Sequence, residues 1–144
     1  MEKCRQVGGY ACISTLFNKI RNAHPNEVVA LDNGDTIHGT FPAINSKGAD
    51  VVPILNHLSF DGMTAHWEFA YGPKQFEKIM KKLSYPMLAI NCYRKKGREL
   101  AYKPYHIIDR NGLQIGIIGM AATIVDKTMP DHFSEGLYFT LGRE

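Results

Sequence analysis

The sequence predicts an α/β fold in which parallel strands alternate with helices and a β-hairpin follows, giving a mixed sheet. Three observations predict it. Three segments repeat apolar residues at i, i+3, i+4 and i+7. Short, continuously apolar runs lie between them. Asn111-Gly112 separates two strand-like runs near the end. Helical stripes alternating with buried strands argue for helices layered on a parallel sheet, and Asn-Gly is the residue pair that a tight hairpin turn demands.

Ile13, Leu16, Phe17 and Ile20 make the first stripe, which is expected to set one helix face against a core. Val28-Val29-Ala30-Leu31 follows as a buried strand. Val51, Ile54, Leu55 and Leu58 make the second stripe, and Pro53 lies close enough to its start to be tolerated. Residues 61–65 form a weaker strand candidate. Pro73, after Gly72, suits the first turn of a third helix with the stripe Phe76, Ile79, Met80 and Leu83. Met87-Leu88-Ala89-Ile90 reads as another buried strand, and residues 105–108 and 113–118 as the arms of the hairpin. No strand precedes the first helix and residues 133–144 reach no clear stop, so the chain is expected to be part of a larger domain.

A chain of 144 residues with 44% hydrophobic and 22% charged content has the make-up of one ordinary globular domain. The net charge of +3 is mild. Lys81, Lys82, Arg94, Lys95, Lys96 and Arg98 cluster without interleaved aromatics, which fits a solvated helix face and loop rather than a nucleic-acid surface. No apolar run reaches the ~18 residues of a membrane span, and the N-terminus lacks the apolar region of a secretory signal. Cys4, Cys12 and Cys92 form no CxxC pair and read as free thiols.

Chemistry concentrates at two strand exits, where ligands collect in α/β sheets. Asp32, Asn33, Gly34, Asp35, Thr36 and His38 follow Leu31, and His66 and Glu68 follow Ala65. Gly34 permits a sharp turn that brings Asp35 forward. A carboxylate can bridge two divalent cations and a neutral imidazole can complete one coordination sphere. Two such ions about 3.5–4 Å apart clamp a phosphoryl oxygen and activate water. The same residues also fit a plain reading, with Asp35 as a turn former and His66 as a packed histidine. His38 and Glu68 suit supporting roles. His24, His57, His106 and His132 have no acidic neighbour at useful spacing and read as surface or packing residues. The glycines of residues 112–119 are misplaced for a dinucleotide-binding loop, which opens a helix rather than lying in a strand.

These motifs, in order, resemble the 5′-nucleotidase branch of the calcineurin-like metallophosphoesterases. Gly8-Gly9 before a helix resembles the Gly-Gly that follows that family's first metal motif. VVALDNGDTIHGT (28–40) resembles LLLDAGDTFQGS, and NHLSFDGMTAHWEFAYG (56–72) resembles NxLGYDAxTLGNHEFDYG. Ala89-Ile90-Asn91 resembles SAN, and residues 112–123 resemble GxKIGVIGLTT. The resemblance implies a four-layer α/β/β/α sandwich and two divalent ions, manganese or zinc. It puts Asp35 at the metal-bridging aspartate, His66 at an asparagine that binds the second metal, and Glu68 at a supporting glutamate. Trp67 stands where the family has its catalytic histidine and Ala70 where it has the aspartate partner. The His-Trp-Glu-Phe string resembles a sub-branch that includes thiosulfohydrolases of bacterial sulfur oxidation with a dinuclear manganese site. His38 is a weak candidate for the work of the missing dyad.

No Asp-x-His precedes Gly8 and no Gly-His-x-His follows Thr123. Residues 1–144 are therefore expected to be a partial metallophosphoesterase catalytic domain, weakly active or inactive alone, that self-associates through exposed sheet edges. The expected reaction of a full-length parent is metal-dependent hydrolysis of a phosphate ester of a small-molecule nucleotide. Hydrolysis of a sulfur-linked sulfonate is the first alternative, and a non-catalytic nucleotide- or partner-binding domain the second. The expected compartment is periplasmic or extracellular for the parent, and cytoplasmic if Met1 is the true start.

Overall fold

A computed structural model describes residues 8–142. The elements run α1 (Tyr10–Ala23), β1 (Leu31–Asp32), α2 (Phe41–Asn45), α3 (Val52–Leu58), β2 (Gly62–Met63), α4 (Pro73–Met80), β3 (Cys92–Arg94), β4 (Tyr105–Arg110), β5 (Leu113–Ile118), α5 (Val125–Thr128) and β6 (Leu137–Phe139). Single 3₁₀ turns at Ala49–Val51, Glu68–Tyr71 and Asp131–Phe133 join them. This is a mixed α/β architecture. Among the described residues no helix is long and apolar enough to cross a membrane.

β1 pairs parallel with β2, Leu31 opposite Gly62 and Asp32 opposite Met63. Parallel bridges continue from Met63 to Met87 and from Leu88 to Lys103. β3 pairs antiparallel with β6, and β4 with β5. The hairpin turns at Asn111 (φ 50°) and Gly112 (φ 81°), the two left-handed positions that a two-residue hairpin turn requires.

Two expected strands are shorter than their apolar runs. Residues 28–30 lie outside the paired strand; side chains take Val28 O and Ala30 N, while Ala30 O accepts from Asp61 N (2.8 Å). Arg110 Nε donates to Val28 O (2.8 Å), and the Ala30 N–H donates to Asp61 Oδ2 (2.9 Å). Arg110 also bonds Asp61 directly. Residues 87–90 change partner at nearly every step, and Ile90 already lies in a turn. The Leu88 N–H donates to Met63 O (2.8 Å), Ala89 to Lys103 O (2.9 Å) and Ile90 to Gly119 O (2.9 Å), so no single ladder forms.

The first helix departs from its expected packing. No residue of α1 is buried, and Ile13, Leu16 and Ile20 are 37, 54 and 40% exposed. Its orientation is set by another row. Tyr10 donates to Thr36 O (3.3 Å), Phe17 meets Phe60 edge-on (5.7 Å), and Arg21 donates to Leu58 O (2.8 Å) and Ser59 O (2.7 Å). These contacts turn the aliphatic row aside.

The other stripes pack largely as expected. Val51, Leu55 and Leu58 are buried while Ile54 stays exposed. Phe76 and Ile79 are buried, and Leu83 packs on the core from beyond the end of α4. The core centres on Phe69, with Phe76 at 5.1 Å and Phe139 at 5.3 Å edge-on. Buried Asn91 ties it to the C-terminal segment. Its amide donates to Ala121 O (2.9 Å) and Thr140 O (3.1 Å), and its Oδ1 accepts from Ala121 N (2.8 Å).

Cys12 is exposed and Cys92 buried, both free, while Cys4 lies outside the described residues. His24 does have an acidic neighbour, Glu27 at 3.6 Å, as an exposed pair on one turn of chain.

Candidate functional site

The site is built by two loops that leave adjacent parallel strands. Beyond β1 the chain turns through Gly34 (φ 84°) and Asp35 (φ 68°), both left-handed. Asp is among the residues that tolerate this conformation, yet it still costs about 1–2 kcal/mol, so the surroundings must hold it. Asp32 does part of that work. Its carboxylate is buried, and Oδ1 accepts from Gly34 N (3.0 Å) and Thr36 Oγ1 (2.7 Å), closing a short loop around residue 35.

Gly34 lies hard against the second loop. A Cβ there would sit 2.7 Å from His66 N, 2.9 Å from Glu68 Oε2 and 2.9 Å from Thr64 O, so no side chain fits. Glu68 then joins the loops through one carboxylate. It is fully buried; Oε1 accepts from Thr36 N (2.8 Å) and Oε2 from His66 N (2.6 Å). Two charge-assisted bonds to backbone N–H groups satisfy an otherwise costly buried charge.

The outcome is that Asp35 and His66 face one another. Asp35 Oδ1 lies 3.6 Å from His66 Nδ1, which is itself buried with no hydrogen-bond partner. His38 Nε2 bonds the same Asp35 oxygen. Trp67 packs beside both imidazoles, with ring centroids 6.0 Å from each, and meets Phe133 edge-on at 6.3 Å. Residue 70, an alanine, brings no carboxylate to this wall.

The electrostatics follow from the two buried carboxylates beneath the loops. Burial raises the Tyr10 phenol, and the negative charges of Asp32 and then Glu68 raise it further. Burial and the Asp32 charge likewise push the Tyr85 phenol up. A cavity of about 320 Å³ adjoins the site, lined by Leu31, Asp32, Asn33, Thr64, Ile117 and Met120 among others, but it includes neither Asp35 nor His66.

A divalent ion can be tested against this donor set. With metal–ligand distances of ~2.0–2.2 Å, two donors on one tetrahedral ion sit roughly 3.4 Å apart. The 3.6 Å between Asp35 Oδ1 and His66 Nδ1, and the unpartnered imidazole nitrogen, fit that arrangement. One carboxylate oxygen and one imidazole suit a first-row divalent cation. They make half of a site: among the described residues, no group of three or more His, Cys, Asp or Glu is arranged to hold a metal.

Of the residues that the sequence singles out, Asp35, His38, His66, Trp67 and Glu68 converge here. Asp32 as a buried turn-former was not reached by sequence reasoning. Its signal was the spacing Asp32-x-Gly34-x-Thr36, in which a carboxylate can accept from both later residues.

No family model matches the chain. The 5′-nucleotidase of Bos taurus is 33% identical over 122 residues, which are 80% of this chain and 21% of that protein. The structure of Thermus thermophilus sulfate thiohydrolase SoxB superposes with a TM-score of 0.88 at 24% identity, covering 94% of this chain and 26% of that one. The calcineurin-like phosphoesterase YfkN from Bacillus subtilis superposes with a TM-score of 0.71 at 23% identity, covering 91% and 45%. The chain thus spans about a fifth of the length of the curated relatives it matches. Identity to nucleotidases over most of this chain leads to one assignment: the chain belongs to the 5′-nucleotidase family.

Proposed function

We propose that residues 1–144 are part of a metallophosphoesterase catalytic domain, a four-layer α/β/β/α sandwich in its complete form, and contribute Asp35 and His66 to a site for two divalent ions. The reaction is hydrolysis of a phosphate ester, with a nucleotide as substrate. The observation that carries this is the 3.6 Å approach of Asp35 Oδ1 to an unpartnered, buried His66 nitrogen. The remaining ligands come from outside residues 8–142.

Bound there, manganese or zinc supplies Lewis acidity and lowers the pKa of coordinated water. The chain's own residues set the stage for that chemistry. Asp35 holds a carboxylate at a fixed point, with its side chain 55% exposed. His66 presents Nδ1 beside it, and Glu68 fixes both loops through backbone N–H groups rather than by touching the reacting atoms. Trp67 places an aromatic face where the family places an imidazole. No side chain at 67 or 70 can hand a proton to a leaving group, and His38, held on Asp35, is the imidazole in reach for that task.

Trp67 is also the observation that favours a second reading. An aromatic wall without a proton donor suits a leaving group that departs unprotonated, such as a thiolate from a sulfur-linked sulfonate. The similar Thermus protein is a sulfate thiohydrolase by name. An exported parent fits the relatives that are precursors.

In a parent polypeptide, Asp35→Asn is expected to abolish hydrolysis of nucleotides and of thiosulfonate-type esters alike; full retained activity overturns the bridging role of Asp35. A side-by-side substrate comparison in the parent separates the two reactions. Isothermal titration of residues 1–144 with manganese is expected to show weak binding, and tight binding of two ions contradicts the partial-site reading.

A further inference from the structure

One wall of the site is held from a segment that belongs to neither loop. Trp67 is half-buried, and its indole meets rings from two other parts of the chain. His38, on the first loop, lies 6.0 Å away with its plane tilted by 43°, and Phe133 lies 6.3 Å away, edge-on at 79°. Phe133 ends the 3₁₀ turn Asp131–Phe133, in which its N–H donates to Pro130 O (2.9 Å) and the Ser134 N–H to Asp131 O (3.2 Å). That turn is fastened to the core. Ser134 is buried, and its carbonyl accepts from the N–H of Leu137 (2.8 Å), the buried first residue of β6. A half-buried indole can leave one staggered well for another. A ring edge set against it from a fastened segment narrows that choice, because edge-on aromatic pairs attract beyond the area they bury. His38 in turn bonds Asp35, so the contacts run from Phe133 through Trp67 and His38 to the carboxylate.

We propose that Phe133 is a positioning residue for the site: its edge-on contact fixes the indole of Trp67 against the His38 imidazole and so keeps His38 on the Asp35 carboxylate. Phe133 acts through Trp67. The consequence for metal binding rests on the function proposed above, whereas the ordering of the rings does not.

Phe133 also packs against the core, as Phe60 does, so Phe60 gives a matched control. The Phe60 ring meets Phe17 and Tyr85 rather than Trp67. Phe133→Leu keeps an apolar side chain and removes the ring edge. Nuclear Overhauser contacts between the Trp67 indole and the His38 ring in the 144-residue chain are expected to be lost in this variant. They are expected to return in Phe133→Tyr and to persist in Phe60→Leu. Contacts that survive Phe133→Leu, or that vanish equally in Phe60→Leu, overturn the proposal. If Phe133→Leu does not fold, the wild-type chain still decides. Trp67 is its single tryptophan, so emission excited beyond the tyrosine absorption reports this ring alone. Its anisotropy is expected to decay with the slow tumbling of the whole chain, and a fast local motion of the indole overturns the proposal. Manganese affinity is expected to fall about threefold in Phe133→Leu, the scale of one edge-to-face aromatic pair; unchanged affinity overturns the positioning role. Absence of manganese binding in the wild type counts against the proposed function and leaves the ring result standing.

Discussion

Glu68 and Gly34 do at the residue scale what neither loop does alone. One carboxylate satisfies Thr36 N and His66 N, and the absent Cβ at residue 34 lets the two loops close on each other. Glu68→Gln puts an amide donor where an N–H must be accepted. It is expected to cost about 1.5–3 kcal/mol, the range for hydrogen bonds to a charged group, as measured by urea unfolding. Gly34→Ala adds both a steric clash and a left-handed strain; the backbone term alone is about 1–2 kcal/mol, and the same measurement is expected to show a larger loss than that. Asp35, His66 and Glu68 stood out in the sequence because carboxylates and an imidazole followed apolar runs. The partners of Glu68 did not, because nothing in a sequence tells which distant backbone N–H a carboxylate will meet. Asp32 was legible only as one of several polar residues in a turn.

At the scale of elements, legibility tracked length and local chemistry. The hairpin was readable because its turn is specified by two adjacent residues, Asn111 and Gly112, both left-handed in the structure. Gly112→Ala is therefore expected to destabilise the chain by roughly 1–2 kcal/mol through that position alone, with faster amide exchange confined to β4 and β5. α2, with five residues, and β6, with three, are too short to show a period, so neither is legible from its residues alone. The run at residues 28–30 misled for a physical reason. Apolar side chains announce burial, but the side chains of Arg110 and Asp61 take Val28 O and Ala30 N. In α1 the stripe is real, but Tyr10, Phe17 and Arg21 fix the helix face by specific contacts and leave Ile13, Leu16 and Ile20 exposed.

Across the whole molecule, burial sets the response to pH. The Tyr85 and Tyr102 phenols are both raised, chiefly by burial. In the folded state these groups keep their protons where the unfolded chain has lost them. Their contribution to stability is therefore complete below the ordinary tyrosine value of about 10 and falls as pH rises beyond it. Urea midpoints are expected to decline above that pH and to decline less in Tyr102→Phe. Cys92, its thiol pushed up to about 12 by burial, is expected to resist thiol reagents at pH 8 while exposed Cys12 reacts. The exposed aliphatic residues Leu16, Leu31, Ile118 and Met120 are expected to drive concentration-dependent self-association of the isolated chain, reduced by Leu16→Lys with Ile118→Lys in sedimentation velocity. The central claim is that Asp35 and His66 together form the chain's share of a divalent-metal site. Its most direct test is manganese-induced paramagnetic broadening of side-chain resonances in residues 1–144. The account predicts broadening centred on Asp35, His66 and His38 at millimolar metal, lost in Asp35→Asn; broadening centred elsewhere, or unchanged by that substitution, contradicts it.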